Sequence, residues 1–315
     1  MRLLPWIAVR VAMLAVSLTV LSVLVFWATE VLPGDAVGAV SGPEATDAER
    51  AAVRVSLGLD RPAPERFLKW AGAVLRGDLG TSMVSNRDVG EILTERAGAS
   101  LAVVIPAAVL ILLFAGGLGI WAGLRAGSRL DRWLTGSTLA LVGTPDFLIA
   151  TALLLVFTLW WPVLPAVAIV PLGQSLWQHP DLIALPALAL ALGGFGSTMR
   201  LLRASVTQTT STPYAEFARL NGVRGARYVR TIVTNAAGPA VHAFTIMTAG
   251  LLGGGIVVET LFNVPGLGYE LARAVATRDV PAVQGLSLTL GAATLLILLA
   301  GDLAVRLLNR GKEAS

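Results

Sequence analysis

The chain of 315 residues has no cysteine, two histidines (His179 and His242) and two lysines (Lys69 and Lys312). The lack of thiols excludes a disulfide framework, a thiolate nucleophile and a cysteine-ligated metal. Two histidines leave little for an imidazole metal site. No Gly-x4-Gly-Lys-Ser/Thr stretch occurs, so the chain cannot itself provide a nucleotide-binding P-loop. Neither His-Glu-x-x-His nor Gly-x-Ser-x-Gly is present, and intramembrane hydrolysis loses its usual motifs. Charge is scarce as well: 14% of residues are charged, against roughly 25% in a soluble domain.

Apolar residues are abundant instead. They make up 55% of the chain, the mean hydropathy is +0.73, and the composition is that of an integral membrane protein. About 20 apolar residues cross a hydrocarbon core, and six segments reach that length: approximately 6–29, 101–124, 133–160, 182–202, 239–261 and 284–308. The first follows Arg2, but its apolar run is too long for a signal peptide and no cleavage site follows before Glu30, so it reads as an uncleaved anchor.

Arg and Lys set the orientation. With the N-terminus inside, the cytoplasmic pieces carry Arg2, Arg10, Arg125, Arg129, Arg132, Arg200, Arg203, Arg219, Arg224, Arg227, Arg230, Arg306, Arg310 and Lys312, while 161–181 has no Lys or Arg. Six spans with both termini cytoplasmic follow. Arg200 and Arg203 are expected to snorkel at the inner end of the fourth span. The all-α organisation is then an N-terminal transmembrane helix (1–30), an extracytoplasmic helical segment (31–97) and a five-helix transmembrane core (98–310) with a cytoplasmic loop at 203–238. In the external segment, 47–59 has helical spacing with Thr46 or Asp47 as cap, and 65–77 reads as an amphipathic helix that Gly77 stops.

The cytoplasmic island TPYAEFARLNGVRGARYVRTIVTN (212–235) is polar, arginine-rich and flanked by two spans. It reads as a short helix, a glycine turn and a second helix. Thr212 suits the N-cap with Pro213 at the first helical position. Small Ala218 permits close approach, and Gly222 permits the positive φ that reverses the chain.

Asp146 stands in Gly143-Thr144-Pro145-Asp146-Phe147, near the middle of the third segment. A charge there costs roughly 2.5–3.5 kcal/mol on insertion scales, so it should face protein or water. Pro145 suggests a local break lining a cavity. Two roles stay open for Asp146: satisfaction by neighbouring groups, or attraction of a cationic substrate group in the passage. Glu259, near the outer end of the fifth span, is open between a structural pairing and substrate contact. Gly193-Gly194-x-Gly196 and Gly250-x-x-Gly253-Gly254-Gly255 read as tight helix packing, including against a second membrane subunit. His179 and His242 read as ordinary structural residues.

The spacing Glu216, Ala218, Gly222 and Ile232 resembles the EAA signature of permease subunits of ABC importers, although Thr234-Asn235 replace its usual Leu-Pro ending. Further elements resemble the dipeptide/oligopeptide/nickel branch, of the dipeptide permease B type. They are Leu32-Pro33-Gly34-Asp35, Leu57-Gly58-Leu59-Asp60-x-Pro62, Gly77-Asp78-Leu79-Gly80-x-Ser82, Glu259-Thr260-x-Phe262, Pro265-Gly266-Leu267-Gly268 and Arg278-Asp279-x-Pro281-x-x-Gln284-Gly285. Asp146 departs from the small polar residue usual after that proline. The resemblance implies the type I ABC importer permease fold, multi-pass in the bacterial cytoplasmic (inner) membrane, and a transport subunit without catalytic residues. It implies a second homologous permease, two cytoplasmic ATPase subunits or domains that bind ATP and Mg, and an extracytoplasmic peptide-binding protein. It further implies a chain surrounded by membrane lipid, with no cofactor of its own and no nucleic-acid partner. Tyr214, Glu216, Phe217, Ala218, Arg219 and Gly222 would form the coupling helix against one ATPase, and Asp146 and Glu259 are candidates for the path. Peptides are the expected cargo. The same branch also carries nickel chelates, haem and glutathione. An ion-coupled secondary transporter is the rival class, with Asp146 as its one central carboxylate.

Overall fold

The structure is a computed structural model that describes residues 3–31, 46–56 and 60–313. The expected elements Leu32-Pro33-Gly34-Asp35 and Leu57-Gly58-Leu59 lie outside the described residues. Among the described residues the fold is all-α, as expected, with one isolated bridge between Thr81 and Asp88. Five helices are long and apolar enough to span a membrane, and a bent pair makes a sixth if counted as one span. The chain divides into two compact units, Met1–Gly98 with Pro265–Leu295, and Ala99–Val264 with Leu296–Ser315.

In the first unit, α1 (Leu3–Val31) is apolar on all sides. Helix α2 (Asp47–Ser56) opens with a capping box: the Thr46 N–H donates to Glu49 Oε2 at 2.8 Å, and the Glu49 N–H donates to Thr46 Oγ1 at 3.3 Å. That bonding holds the Glu49 carboxyl below its usual range. Helix α3 (Ala63–Val74) packs Phe67 and Trp70 on Phe26 of α1, ring centroids 5.3 and 5.9 Å apart, and Arg66 donates to Glu30. Gly77 terminates it at φ +84°, as expected.

The second unit is built around α8 (Pro180–Thr210), which packs against α5 (Gly116–Leu124), α6 (Arg129–Gly143), α7 (Asp146–Leu154) and α10 (Gly225–Leu261). Absent side chains bring these helices together. A Cβ at Gly119 would lie 2.8 Å from the Met199 carbonyl oxygen, and one at Gly123 2.6 Å from Val206 Cβ. A Cβ at Gly196 would lie 2.8 Å from the Thr138 carbonyl oxygen. These are the close backbone approaches that small residues permit in membranes. Helix α4 (Val89–Leu110) begins well before the apolar run at 101 and joins α5 through a π-helical turn, Ile111–Ala115.

The break expected at Pro145 is present, and two other expectations are corrected. In the third segment, α6 and the pair α7 with its π-helical end (Leu155–Trp160) meet at 101°. Thr144 and Pro145 are extended, because a proline disfavours helix in the residue before it and offers no N–H. The second helix of the arginine-rich island is no separate element but the first turns of the 37-residue α10, which passes through Pro239 unbroken. Arg203 does not snorkel. It grips Asp131, only 1% exposed, through a fork in which Nη2 to Oδ2 is 2.7 Å.

Candidate functional site

Helix α9 (Pro213–Leu220) is short, yet its sequence specifies both ends. The Thr212 hydroxyl accepts from the Ala215 N–H at 3.4 Å, and Pro213 begins the helix. At the other end the Val223 N–H donates to the Ala218 carbonyl at 3.0 Å and the Gly222 N–H to Arg219 at 3.1 Å. That pair of bonds is the Schellman closure, and it requires the left-handed φ of +77° found at Gly222.

One face of α9 is occupied. Ala215 joins Val206, Ile232 and Ala236 in a buried cluster flanked by Ile120, Leu124 and Tyr228. Glu216, Ala218, Gly222 and Ile232, spaced by the signature, therefore divide their roles. Ala218 and Ile232 face inward, Gly222 makes the turn, and Glu216 stays exposed. The opposite face carries Tyr214, Phe217 and Leu220, exposed by 56, 67 and 78%. Leu220 was not singled out from the sequence; its i+3 spacing from Phe217 was the available signal. Glu216 and Arg219 make no ion pair or side-chain hydrogen bond among the described residues.

The break between α6 and α7 places Asp146 in the first turn of α7, exposed. Its carboxylate rests against two glycines of neighbouring helices: a Cβ at Gly193 would lie 2.5 Å from Oδ1, and one at Gly254 3.3 Å from Oδ2. Among the described residues it has no hydrogen-bonding or ionic partner. Glu259 differs. It is 2% exposed, engaged by neighbouring groups, and its carbonyl accepts from the Val264 N–H at 2.8 Å. The structure thus separates the two carboxylates that the sequence left side by side.

Signature elements far apart in sequence meet in the first unit. Ser82 Oγ donates to Asp279, and the Met83 N–H donates to the same carboxylate at 3.0 Å. Gln284 Nε2 donates to Thr29 Oγ1 at 2.8 Å. A Cβ at Gly285 would lie 2.6 Å from Val89 Cγ1. Helix α11 (Leu267–Ala276) follows the Pro265-Gly266 turn and buries Glu270, which Arg273 and Arg96 face. Helix α12 (Val280–Glu313) starts from Asp279.

Residues 115–313 match the family model described as the binding-protein-dependent transport system inner membrane component. The chain belongs to that family. With five apolar helices, or six spans if the bent pair is one, it is a multi-pass membrane protein. It is 34% identical over 301 residues to a putative peptide permease protein of Brucella suis, covering 93% of both chains. It is 35% identical over 310 residues to a glutathione transport system permease protein of Salmonella typhi, covering 98% of both. A glutathione transport system permease protein of Escherichia coli is 34% identical over 312 residues, again with 98% of both covered.

Two polar links of this family member escaped sequence reasoning. Asp131 accepts from Arg203 and from the Gly127 N–H at 2.8 Å, and His242 Nδ1 lies 3.9 Å from Asp302 Oδ1. Among the described residues, no group of three His, Asp or Glu side chains is placed to hold a metal ion.

Proposed function

We propose that this inner membrane component is the permease subunit of an ATP-driven importer that moves peptides across the cytoplasmic membrane by alternating access. The observation that carries the reading is α9: a capped, closed helix with one face packed and an aromatic stripe left uncovered. The peptide assignment draws on the relative named as a peptide permease. In this reading both termini are cytoplasmic, and residues 31–97 lie outside the membrane with the binding protein. ATP and Mg belong to two partner ATPases, and a second, homologous permease completes the path.

The geometry suits a lever. Helix α8 has 31 residues and α10 has 37, about 46 and 55 Å at 1.5 Å per residue. Both exceed the roughly 30 Å hydrocarbon core, and α9 joins the end of one to the start of the other. Tyr214, Glu216, Phe217 and Arg219, with Leu220, form the surface offered to one ATPase; Ala218 seats the helix and Gly222 holds its angle. The Arg203–Asp131 fork ties the same end of α8 to α6, whose far end is the break at Asp146. Motion of α9 then reaches the centre of the membrane through packed helices with two discrete arrangements. Glu259, enclosed at the end of α10, reads as a structural group rather than a substrate contact.

The chain would be co-expressed with a homologous permease, the ATPases and a binding protein from the same organism and reconstituted in proteoliposomes. ATP-dependent accumulation of trialanine is expected. Glutathione is the second reading, favoured by the relatives that carry that name. Accumulation of glutathione with no trialanine uptake would select it, and uptake without ATP would defeat both.

A further inference from the structure

We propose that Asp146 is a cation-receiving subsite in the translocation path, which takes the primary ammonium group of a peptide as it crosses the middle of the membrane. The inference rests on the reading of the chain as a peptide permease.

Three observations converge on it. The first is depth: Asp146 touches Gly193, near the centre of the apolar run 182–202, about 15 Å from either end of that run. A lipid headgroup does not reach such a position, and hydrocarbon does not tolerate an ionised carboxylate there. The second is the absence of a partner. The buried carboxylates Asp131, Asp279 and Glu270 are engaged, by Arg203, Ser82 and Arg273, whereas the exposed Asp146 has neither ion pair nor side-chain hydrogen bond among the described residues.

The third is shape. The carboxylate is seated against Gly193 and Gly254, where a Cβ would lie 2.5 Å from Oδ1 and 3.3 Å from Oδ2. Glycine on two neighbouring helices lets the carboxylate lie against backbone while Asp146 itself stays exposed. The 101° bend keeps it there, because Pro145 ends one helix and starts the next. An exposed, unpartnered carboxylate at this depth needs water or a cation, and the cargo of a peptide importer brings an ammonium group.

The test uses the complete importer in vesicles of phosphatidylcholine and phosphatidylglycerol, loaded with saturating binding protein. Initial import rates of trialanine and of N-acetyl-trialanine are compared. The wild-type complex is expected to favour trialanine. Asp146→Asn should lower the ratio of the two rates about tenfold, the scale of one lost charge-assisted hydrogen bond. Asp146→Glu should keep most of the preference. Asp146→Ser gives the same readout should the Asn variant fail to assemble. An unchanged ratio in the neutral variants, or equal losses for both peptides, would make Asp146 a structural group and overturn the proposal. A wild-type complex that imports neither peptide would overturn the peptide reading itself and this inference with it.

Discussion

Helices α9 and α11 are built alike and finished differently. Each is short and amphipathic, and each ends in a left-handed residue with the same two bonds. In α11 the Asp279 N–H donates to Ala274 at 2.9 Å and the Arg278 N–H to Val275 at 3.2 Å, with φ +58° at Arg278. Each also carries Glu and Arg three residues apart. In α11 that pair is made: Glu270 is 3% exposed and Arg273 donates to it through Nε at 3.0 Å. In α9, Glu216 and Arg219 stand apart in solvent. The apolar residues follow the same division. Ala274 of α11 is packed with Val89, Leu93, Ala282 and Leu286 and Val275 is its one exposed large apolar residue, while Tyr214, Phe217 and Leu220 of α9 are all uncovered. A helix that satisfies its own charges and apolar face is structural. One that is rigidly held and leaves both unsatisfied is prepared for another surface.

The most severe way to break this contrast is at the turn of α9. Gly222→Val places a β-branched residue at φ +77°, where only glycine is comfortable. Loss of the closure should misalign the exposed stripe and lower import about tenfold or more, while the protein still inserts. Uptake by the reconstituted complex, with membrane fractionation alongside, checks this. Wild-type uptake would show that the fixed angle of α9 is irrelevant. A somewhat smaller effect is expected from Phe217→Ala. A truncated aromatic anchor at the centre of an interface costs about 2 kcal/mol, so co-purification of the ATPases should fall while the stability of the isolated chain does not. Full ATPase recovery with this variant would remove the stripe from the docking surface.

Those residues were legible because their causes are local. Thr212, Pro213 and Gly222 dictate a start and a stop within eleven residues of chain, and the apolar runs dictate spans wherever helices stay straight. What stayed hidden has distant causes. The Arg203 guanidinium looked solvent-seeking until folding brought Asp131 to it from 72 positions away. Ser82 reaches Asp279 across 197 positions, so the two motifs were each visible but their joint was not. The true start of α10 at Gly225 was missed for another reason. A hydropathy window registers only the apolar part of a helix, and the first turns of α10 carry Arg227 and Arg230. Pro145 announced a break at Asp146, whereas its angle depends on what α6 and α7 each pack against on α8.

The satisfied member of the pair should respond in the opposite sense. Arg273→Ala removes a donor from the enclosed Glu270, leaving Arg96 Nε at 3.7 Å from the other oxygen. The loss should be about 1–2 kcal/mol, read as a lower unfolding midpoint of the purified chain in detergent. ATPase recovery is expected to be unaffected. A variant that lost the ATPases while keeping its unfolding midpoint would dissolve the distinction between the two helices.

The smallest effect is expected at the closing residue of α11, and its sign is the informative part. Arg278 adopts φ +58°, is exposed, and its side chain has no partner among the described residues. An ordinary L-residue in that conformation is strained by about 1–2 kcal/mol. Glycine removes the strain, but its unfolded chain is freer by roughly 0.5–1 kcal/mol. Arg278→Gly should therefore stabilise the isolated chain slightly, about 0.5 kcal/mol, if the residue serves only to close the helix. The same substitution should leave import as it was. A stabilised variant with reduced import would separate the two measurements, and Arg278 would then hold strain for the sake of a contact made outside this chain. In that event α11, like α9, would present a surface to a partner, and the closed geometry shared by the two helices would mark docking elements in general rather than one of them.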